Sequence, residues 1–153
     1  MNKERGMSRI VKTVACILSI PITIFGLYII LHGHLTPGGG FAGGAVIATL
    51  VALFLISFGS VKLSEKSLSM LESLGLVAFI VLAFFGFSMS FFHNFLANSN
   101  GLFGSSVSFG SNSGFLNTGG IIPLMNLAVG LEVFSALSLI LLLMFKGEGS
   151  VDD

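Results

Sequence analysis

The sequence predicts an all-α membrane protein with four transmembrane helices and a broken, glycine-rich turn between the first two. Composition gives the first reason: 54% of the 153 residues are hydrophobic and 9% are charged, whereas a soluble domain carries about 25% charged residues. The second reason is that long uncharged runs separate short charged clusters. A bilayer core of about 30 Å needs roughly 20 apolar residues per helix. Four runs approach or reach that length, so we expect one integral membrane domain over residues 1–153.

The predicted helices and the long loop before the last one have the following bounds. The helices lie at about residues 10–31, 41–58, 68–92 and 121–145, with an outer loop at 93–120. Pro21 lies inside the first helix, where a membrane helix tolerates proline. The first apolar run is longer than that of a signal peptide and no small-residue cleavage site follows it, so we expect a retained anchor.

Basic residues mark one side of the membrane. They occur in the N-terminal tail, after the second run and in the C-terminal tail, and an even number of spans places these three segments on the same side. Short basic flanks face the cytoplasm, so we expect a multi-pass plasma membrane protein with both termini cytoplasmic. The basic residues are Lys3, Arg5, Arg9, Lys12, Lys62, Lys66 and Lys146.

The outer loop at 93–120 contains no Lys, Arg, Asp or Glu and is rich in Ser, Asn and Gly. A flexible linker is one interpretation of such a composition. The interspersed Phe and Leu residues favour a loop that lies against a partner protein or the membrane surface, because long ordered loops tend to carry contacts.

The stretch HGHLTPGGGFAGG at residues 32–44 allows three interpretations: a nucleotide loop, a metal site or a break between helices. A phosphate-binding loop would end in Lys followed by Ser or Thr, which is absent here. His32 and His34 provide too few ligands for a metal site, and no histidine pair on facing helices suits haem, so we expect neither a metal nor a cofactor. The two histidines then cap the first helix at the interface; the alternative is that they, and His34 in particular, line a proton path.

The glycines of this stretch suit close helix packing. Small residues four apart let the backbones of membrane helices approach each other, while the proline and glycine before them supply backbone that protein or water must cover. We therefore expect the second helix to be buried among other helices. The residues assigned to this packing are Pro37, Gly38, Gly39, Gly40, Gly43 and Gly44.

Glu132 lies near the middle of the last predicted helix. A carboxylate at that depth costs several kcal/mol unless it is protonated, paired or hydrated. It belongs either to a proton or cation path, or to a pair with a partner's Lys or His, or to a structural hydrogen bond with Asn126. Glu72, near the cytoplasmic end of the third helix, is a weaker candidate of the same kind. The net charge of zero gives no reason to expect nucleic-acid binding.

Residues 33–44 read G-H-x-x-P-G-G-G-F-x-G-G. This string resembles the signature loop of the MnhB family, also called MrpB, whose members are subunits of Mrp-type multisubunit cation/proton antiporters and also occur in archaeal membrane-bound hydrogenases and sulfur reductases. The basic N-terminus, the four spans and a last helix with one acid extend the resemblance over nearly the whole chain. Within it, Glu132 matches the acid of the family's last helix.

The resemblance implies a non-catalytic accessory subunit in the lipid bilayer. Its partners would be other small Mrp-type subunits and large antiporter-like subunits, and the complex would exchange a cation such as Na+ for protons, either alone or coupled to a redox module such as a hydrogenase. Two other hypotheses remain: a purely structural assembly subunit, and a small channel formed by copies of this chain. The absence of an internal repeat disfavours the channel.

Overall fold

The computed structural model describes residues 7–87, 90, 92–106 and 116–149. The described chain forms four α-helices and one short 3-10 turn, and it contains no strand. The elements are α1 (Arg9–Leu31), α2 (Gly40–Phe58), α3 (Glu65–Phe85), the 3-10 turn (Leu116–Thr118) and α4 (Ile122–Gly149). All four helices are long and apolar enough to cross a membrane. The predicted all-α membrane fold with four spanning helices is therefore confirmed.

α4 is the central helix. It packs against α2 on one side and α3 on the other, while α1 packs mainly on α2 and touches α4 only slightly. The helices thus follow one another in space in the order α1, α2, α4, α3. Lys146 near the end of α4 forms an ion pair with Glu65 at the start of α3, which shows that these two helices run antiparallel.

The link between α2 and α3 is short and its surroundings form the apolar core. Gly59 ends α2 in a left-handed conformation with φ of 75°, and its backbone N–H donates to the Leu55 carbonyl. This turn brings the start of α3 beside the later part of α4. The four buried apolar side chains that meet there belong to Val51, Leu55, Leu68 and Leu142.

The third helix differs from the prediction. It begins at Glu65 and ends at Phe85 instead of covering residues 68–92. The chain folds back at this point, since the Phe92 N–H donates to the Ala83 carbonyl at 3.3 Å and a Cβ at Gly86 would lie 2.7 Å from the His93 nitrogen. Glycine at position 86 permits that close approach, and the apolar composition of the following residues does not reveal it. The predicted loop at 93–120 thus lies within a longer connection, of which residues 88, 89, 91 and 107–115 are outside the described part.

Candidate functional site

The connection between α1 and α2 occupies residues 32–39. Gly38 and Gly39 adopt φ values of 146° and 97°, which residues with a Cβ rarely adopt. A Cβ at Gly38 would also lie 2.7 Å from Ile29 Cγ2. Pro37 and Gly38 are exposed, whereas Gly39 and the first residue of α2, Gly40, are buried. The backbone therefore turns sharply here and enters α2 against neighbouring helices.

Two faces of α2 meet different helices through glycine. A Cβ at Gly40 would lie 2.8 Å from Val129 Cβ and 2.9 Å from the Gly130 nitrogen, and one at Gly44 would lie 2.7 Å from the Gly130 carbonyl oxygen. These two positions therefore press directly on the backbone of α4. A Cβ at Gly43 would instead lie 2.6 Å from the Gly26 carbonyl oxygen of α1, so α1 and α4 both approach the start of α2 at backbone distance.

The side chain of Asn126, on the first turns of α4, lies over the glycine-rich turn. A Cβ at Gly33 would be 2.5 Å from Asn126 Nδ2, and one at Gly39 would be 3.2 Å from its Oδ1. The Nδ2 atom is buried and has no hydrogen-bond partner among the described residues. The Asn126 side chain therefore packs on the glycine-rich turn and does not lie beside Glu132. The hydrogen bond between Asn126 and Glu132 that the sequence allowed is not formed. Six residues on an α-helix separate the two side chains by about 120° around the axis.

The two histidines of the turn have different environments. His32 ends α1: its Nδ1 donates to the Tyr28 carbonyl at 3.1 Å, and its ring stacks on the Tyr28 ring with centroids 4.1 Å apart. Both ring nitrogens of His34 are buried and have no hydrogen-bond partner among the described residues. A Cβ at Gly119 would lie 2.9 Å from His34 Cδ2, so the residues just before α4 cover this ring. No group of three or more metal-ligating side chains occurs in the described ranges.

Glu132 faces α3. It lies ten residues after the start of α4, about 15 Å along the helix axis. A Cβ at Gly75 of α3 would be 2.9 Å from the Glu132 nitrogen and 3.0 Å from Glu132 Cβ. The residue is half-buried, and within the described part of the chain its carboxylate has neither an ion pair nor a hydrogen bond.

Glu72 lies one helical turn before Gly75 on α3 and is also half-buried. Glu72 therefore lies close to the face of α3 that meets α4 at Gly75, and we call this contact between α3 and α4 the seam. His34, in contrast, lies beside the start of α4, and the nine residues from Pro123 to Glu132 rise by about 14 Å. The structure brings Glu72 and Glu132 to one seam, but it does not bring His34 to either of them.

Two residues of this region were not identified from the sequence. Asn94 joins the two ends of the α3–α4 connection: its Oδ1 accepts from the Ile121 N–H at 2.8 Å, and its Nδ2 donates to the Gly119 carbonyl at 3.2 Å. Gly75 lets α4 approach α3 at Glu132. An isolated glycine inside an apolar helix is a usable signal for such an approach, whereas one asparagine among several in an uncharged loop gives none.

The sequence of the chain is similar to a described protein family and to several known proteins. The model of a family described as a domain related to the MnhB subunit of Na+/H+ antiporters matches residues 10–139. An uncharacterized protein of Methanocaldococcus jannaschii is 37% identical over 132 residues, which are 84% of this chain and 49% of that protein. A Na+/H+ antiporter subunit of Bacillus subtilis is 34% identical over 58 residues, which are 38% of this chain and 41% of that protein.

A solved structure also has the same fold. A chain of the membrane-bound sulfane sulfur reductase, an archaeal respiratory membrane complex, matches with a TM-score of 0.75 and 31% identity. The match covers 94% of this chain and 60% of that one. The present chain therefore spans about half of the length of the longer proteins that it matches.

Proposed function

The chain belongs to the MnhB family, and we propose that it is a non-catalytic membrane subunit of a multisubunit Na+/proton antiporter module. The observation that carries this proposal is the family match over residues 10–139, which includes the glycine-rich turn and Glu132. The similarity to a chain of a respiratory reductase complex supports the variant in which the module is coupled to a redox module. Other small subunits and large antiporter-like subunits would be its partners.

The surface of the chain supports a role within a larger assembly. In the most apolar 18-residue stretch of each helix, between 17% and 33% of the residues are buried within the chain. Large apolar side chains are exposed along α1, among them Ile10 at 77% and Ile17 at 63%. Such faces are available to lipid and to the helices of partner subunits, which associate through close packing in a membrane.

The proposed orientation has both termini in the cytoplasm of a plasma membrane protein. Lys12 of α1 lies 5.7 Å from the centre of the Phe58 ring at the end of α2, and Lys146 of α4 pairs with Glu65 of α3. Two of the three basic clusters thus lie at one end of the helices beside the α2–α3 link. This arrangement supports a common side for them, which the positive-inside rule assigns to the cytoplasm.

Four side chains are candidates for an ion or proton path. Glu132 is the first, because it carries an ionisable group within a spanning helix and lacks a partner within the described residues. Glu72 lies on the same seam, and His34 is a second, separate candidate beside the start of α4. His32 is the weakest of the four, because its ring is already bonded to the Tyr28 carbonyl.

Reconstitution separates a subunit from a self-sufficient channel. We expect proteoliposomes that contain this chain alone to show no Na+-dependent proton movement. The two half-buried carboxylates near the α3–α4 contact do not line a complete path across the membrane. The purified complex should show it, and the complex prepared without this chain should not. Fluorescence of a pH-sensitive dye inside the vesicles measures all three. Transport by the chain alone would overturn the proposal in favour of a homo-oligomeric channel.

A purely structural assembly subunit is the second candidate. The backbone-distance contacts of Gly40 and Gly44 with α4 favour it, because they are packing features that need no ion. The two candidate functions predict different results for Glu132→Gln in a complex that still assembles: transport is lost if the chain contributes to an ion path and is unchanged if its role is purely structural.

A further inference from the structure

Hydrogen bonds join the described parts of the α3–α4 connection to one another. Besides the two hydrogen bonds of Asn94, the Gly120 N–H donates to the Phe103 carbonyl at 2.7 Å, and the Ser105 N–H donates to the Asn117 carbonyl at 2.9 Å. We refer to its described residues 92–106 and 116–121 as the α3–α4 cover. Asn94 is the member of this network that acts through its side chain on the residues next to His34.

The cover contacts His34 through Gly119, the residue to which the Asn94 side chain is hydrogen-bonded. Gly119 lies against the imidazole ring, and Asn94 Nδ2 donates to the carbonyl of this same glycine. On the other side of Gly120, Ile121 is 1% exposed and its N–H donates to Asn94 Oδ1. Gly120 itself has φ of 60°, and a Cβ there would collide with the Asn94 side chain. The backbone from Gly119 to Ile121 therefore packs around the side-chain amide of Asn94.

The closed arrangement leaves His34 with an unfavourable environment. A buried polar atom without a partner costs free energy that water would restore, and both ring nitrogens are in this condition within the described part of the chain. The interactions of the imidazole thus favour an opened cover, in which water reaches the ring. The two hydrogen bonds of Asn94 oppose that opening.

We propose that the α3–α4 cover is a closure over His34 and that Asn94 is the positioning residue that holds it shut. Opening would admit water, and with it protons, to the ring nitrogens. This inference goes beyond the proposed function, because it concerns access to a buried group and is measured without transport.

The test measures the chemical accessibility of position 34. In the purified complex in detergent, Cys16, which is exposed, is replaced by serine and His34 by cysteine. The probe is 2-sulfonatoethyl methanethiosulfonate, a charged reagent that modifies thiols only from water, and the mass of the intact chain gives the labelling rate. Asn94→Ala is compared with the parent. Asn117→Ala is the matched control, because Asn117 is an exposed asparagine of the same cover whose Nδ2 donates to Ser105 Oγ at 2.8 Å.

We expect slow labelling in the parent and at least about tenfold faster labelling with Asn94→Ala, which corresponds to about 1.4 kcal/mol. Asn117→Ala should stay within about twofold of the parent, as surface substitutions do. Where Asn94→Ala fails to assemble, Asn94→Asp takes its place: it keeps the acceptor for the Ile121 N–H, loses the donor to Gly119 and should accelerate labelling less. Equal rates with and without the Asn94 amide, or equal acceleration by Asn117→Ala, would overturn the inference while leaving the subunit role untouched.

Discussion

Replacing Gly40 by alanine is expected to prevent the chain from assembling into its complex. The added Cβ would lie 2.8 Å from Val129 Cβ and 2.9 Å from the Gly130 nitrogen, and it would be closest to the Asn126 carbonyl oxygen. Two of these three atoms belong to the backbone of α4, so no rotamer change relieves the contact. The helices must separate, and overpacking of this kind costs about 1–3 kcal/mol or more. Gly44→Ala should act in the same direction, since its Cβ would lie 2.7 Å from the Gly130 carbonyl oxygen.

The matched control is Gly147→Ala in α4, where no atom of the described residues, apart from its chain neighbours and the helix's own backbone, would lie within 4 Å of an added Cβ. Both substitutions remove a helical glycine and so raise helix propensity alike. A difference between them therefore reports the contact alone. Size-exclusion chromatography of the solubilised complex gives the amount of assembled chain, and its thermal unfolding gives the stability. If Gly40→Ala and Gly147→Ala assemble equally well, the close packing of α2 on α4 is not what holds the fold.

Replacing Glu132 by glutamine is expected to reduce Na+-dependent proton movement to less than about a tenth in vesicles that contain the complex, a factor in the range of lost proton-transfer groups. The side chain is half-buried on a spanning helix, next to the backbone approach at Gly75, and the described chain offers it no counter-charge. A carboxylate at this depth is stabilised by a proton, a transported cation, a basic side chain of a partner or water, and the first three involve its charge or its proton directly. Glutamine keeps the shape and removes the charge and the exchangeable proton.

The control for this variant is Glu65→Gln, which removes a carboxylate at the start of α3 and, among the described residues, breaks only the surface ion pair with Lys146. Exposed pairs contribute little to stability, so we expect normal assembly and transport. The amount of assembled complex separates two roles of Glu132. Loss of transport in an intact complex indicates a path residue, whereas loss of assembly indicates a pair with a basic group of a partner. Unaltered transport by an intact Glu132→Gln complex would contradict both roles.

The helices themselves were predictable, because uncharged apolar runs bounded by basic residues leave few alternatives for a chain with 9% charged residues. The end of α3 was not, because Gly86 ends the helix through a contact with His93 that depends on the chain folding back. Local composition favoured continuing the helix through the phenylalanines that follow. The error thus comes from a tertiary contact that neither hydrophobic periodicity nor helix propensity can predict.

The candidate site was predictable in its residue types and not in its geometry. A single acid within a spanning run identifies Glu132, but only the packing register shows that Gly75 meets it. His32 and His34 are alike in sequence, and their separate roles depend on Tyr28 on one side and Gly119 on the other. Asn94 lies far from Gly119 in sequence, so its two hydrogen bonds become visible only once the connection closes.

Purification of the chain under native conditions tests the central claim most directly. An affinity tag on the chain, extraction of the membranes in a mild detergent and mass spectrometry of the intact eluted assembly identify what the helices contact. Membership in the MnhB family predicts that large antiporter-like subunits elute with it in a fixed ratio, and that cross-linking finds them against the face of α4 that carries Glu132. Elution of the chain as a lone polypeptide in lipid and detergent, with no protein against that face, would contradict the account.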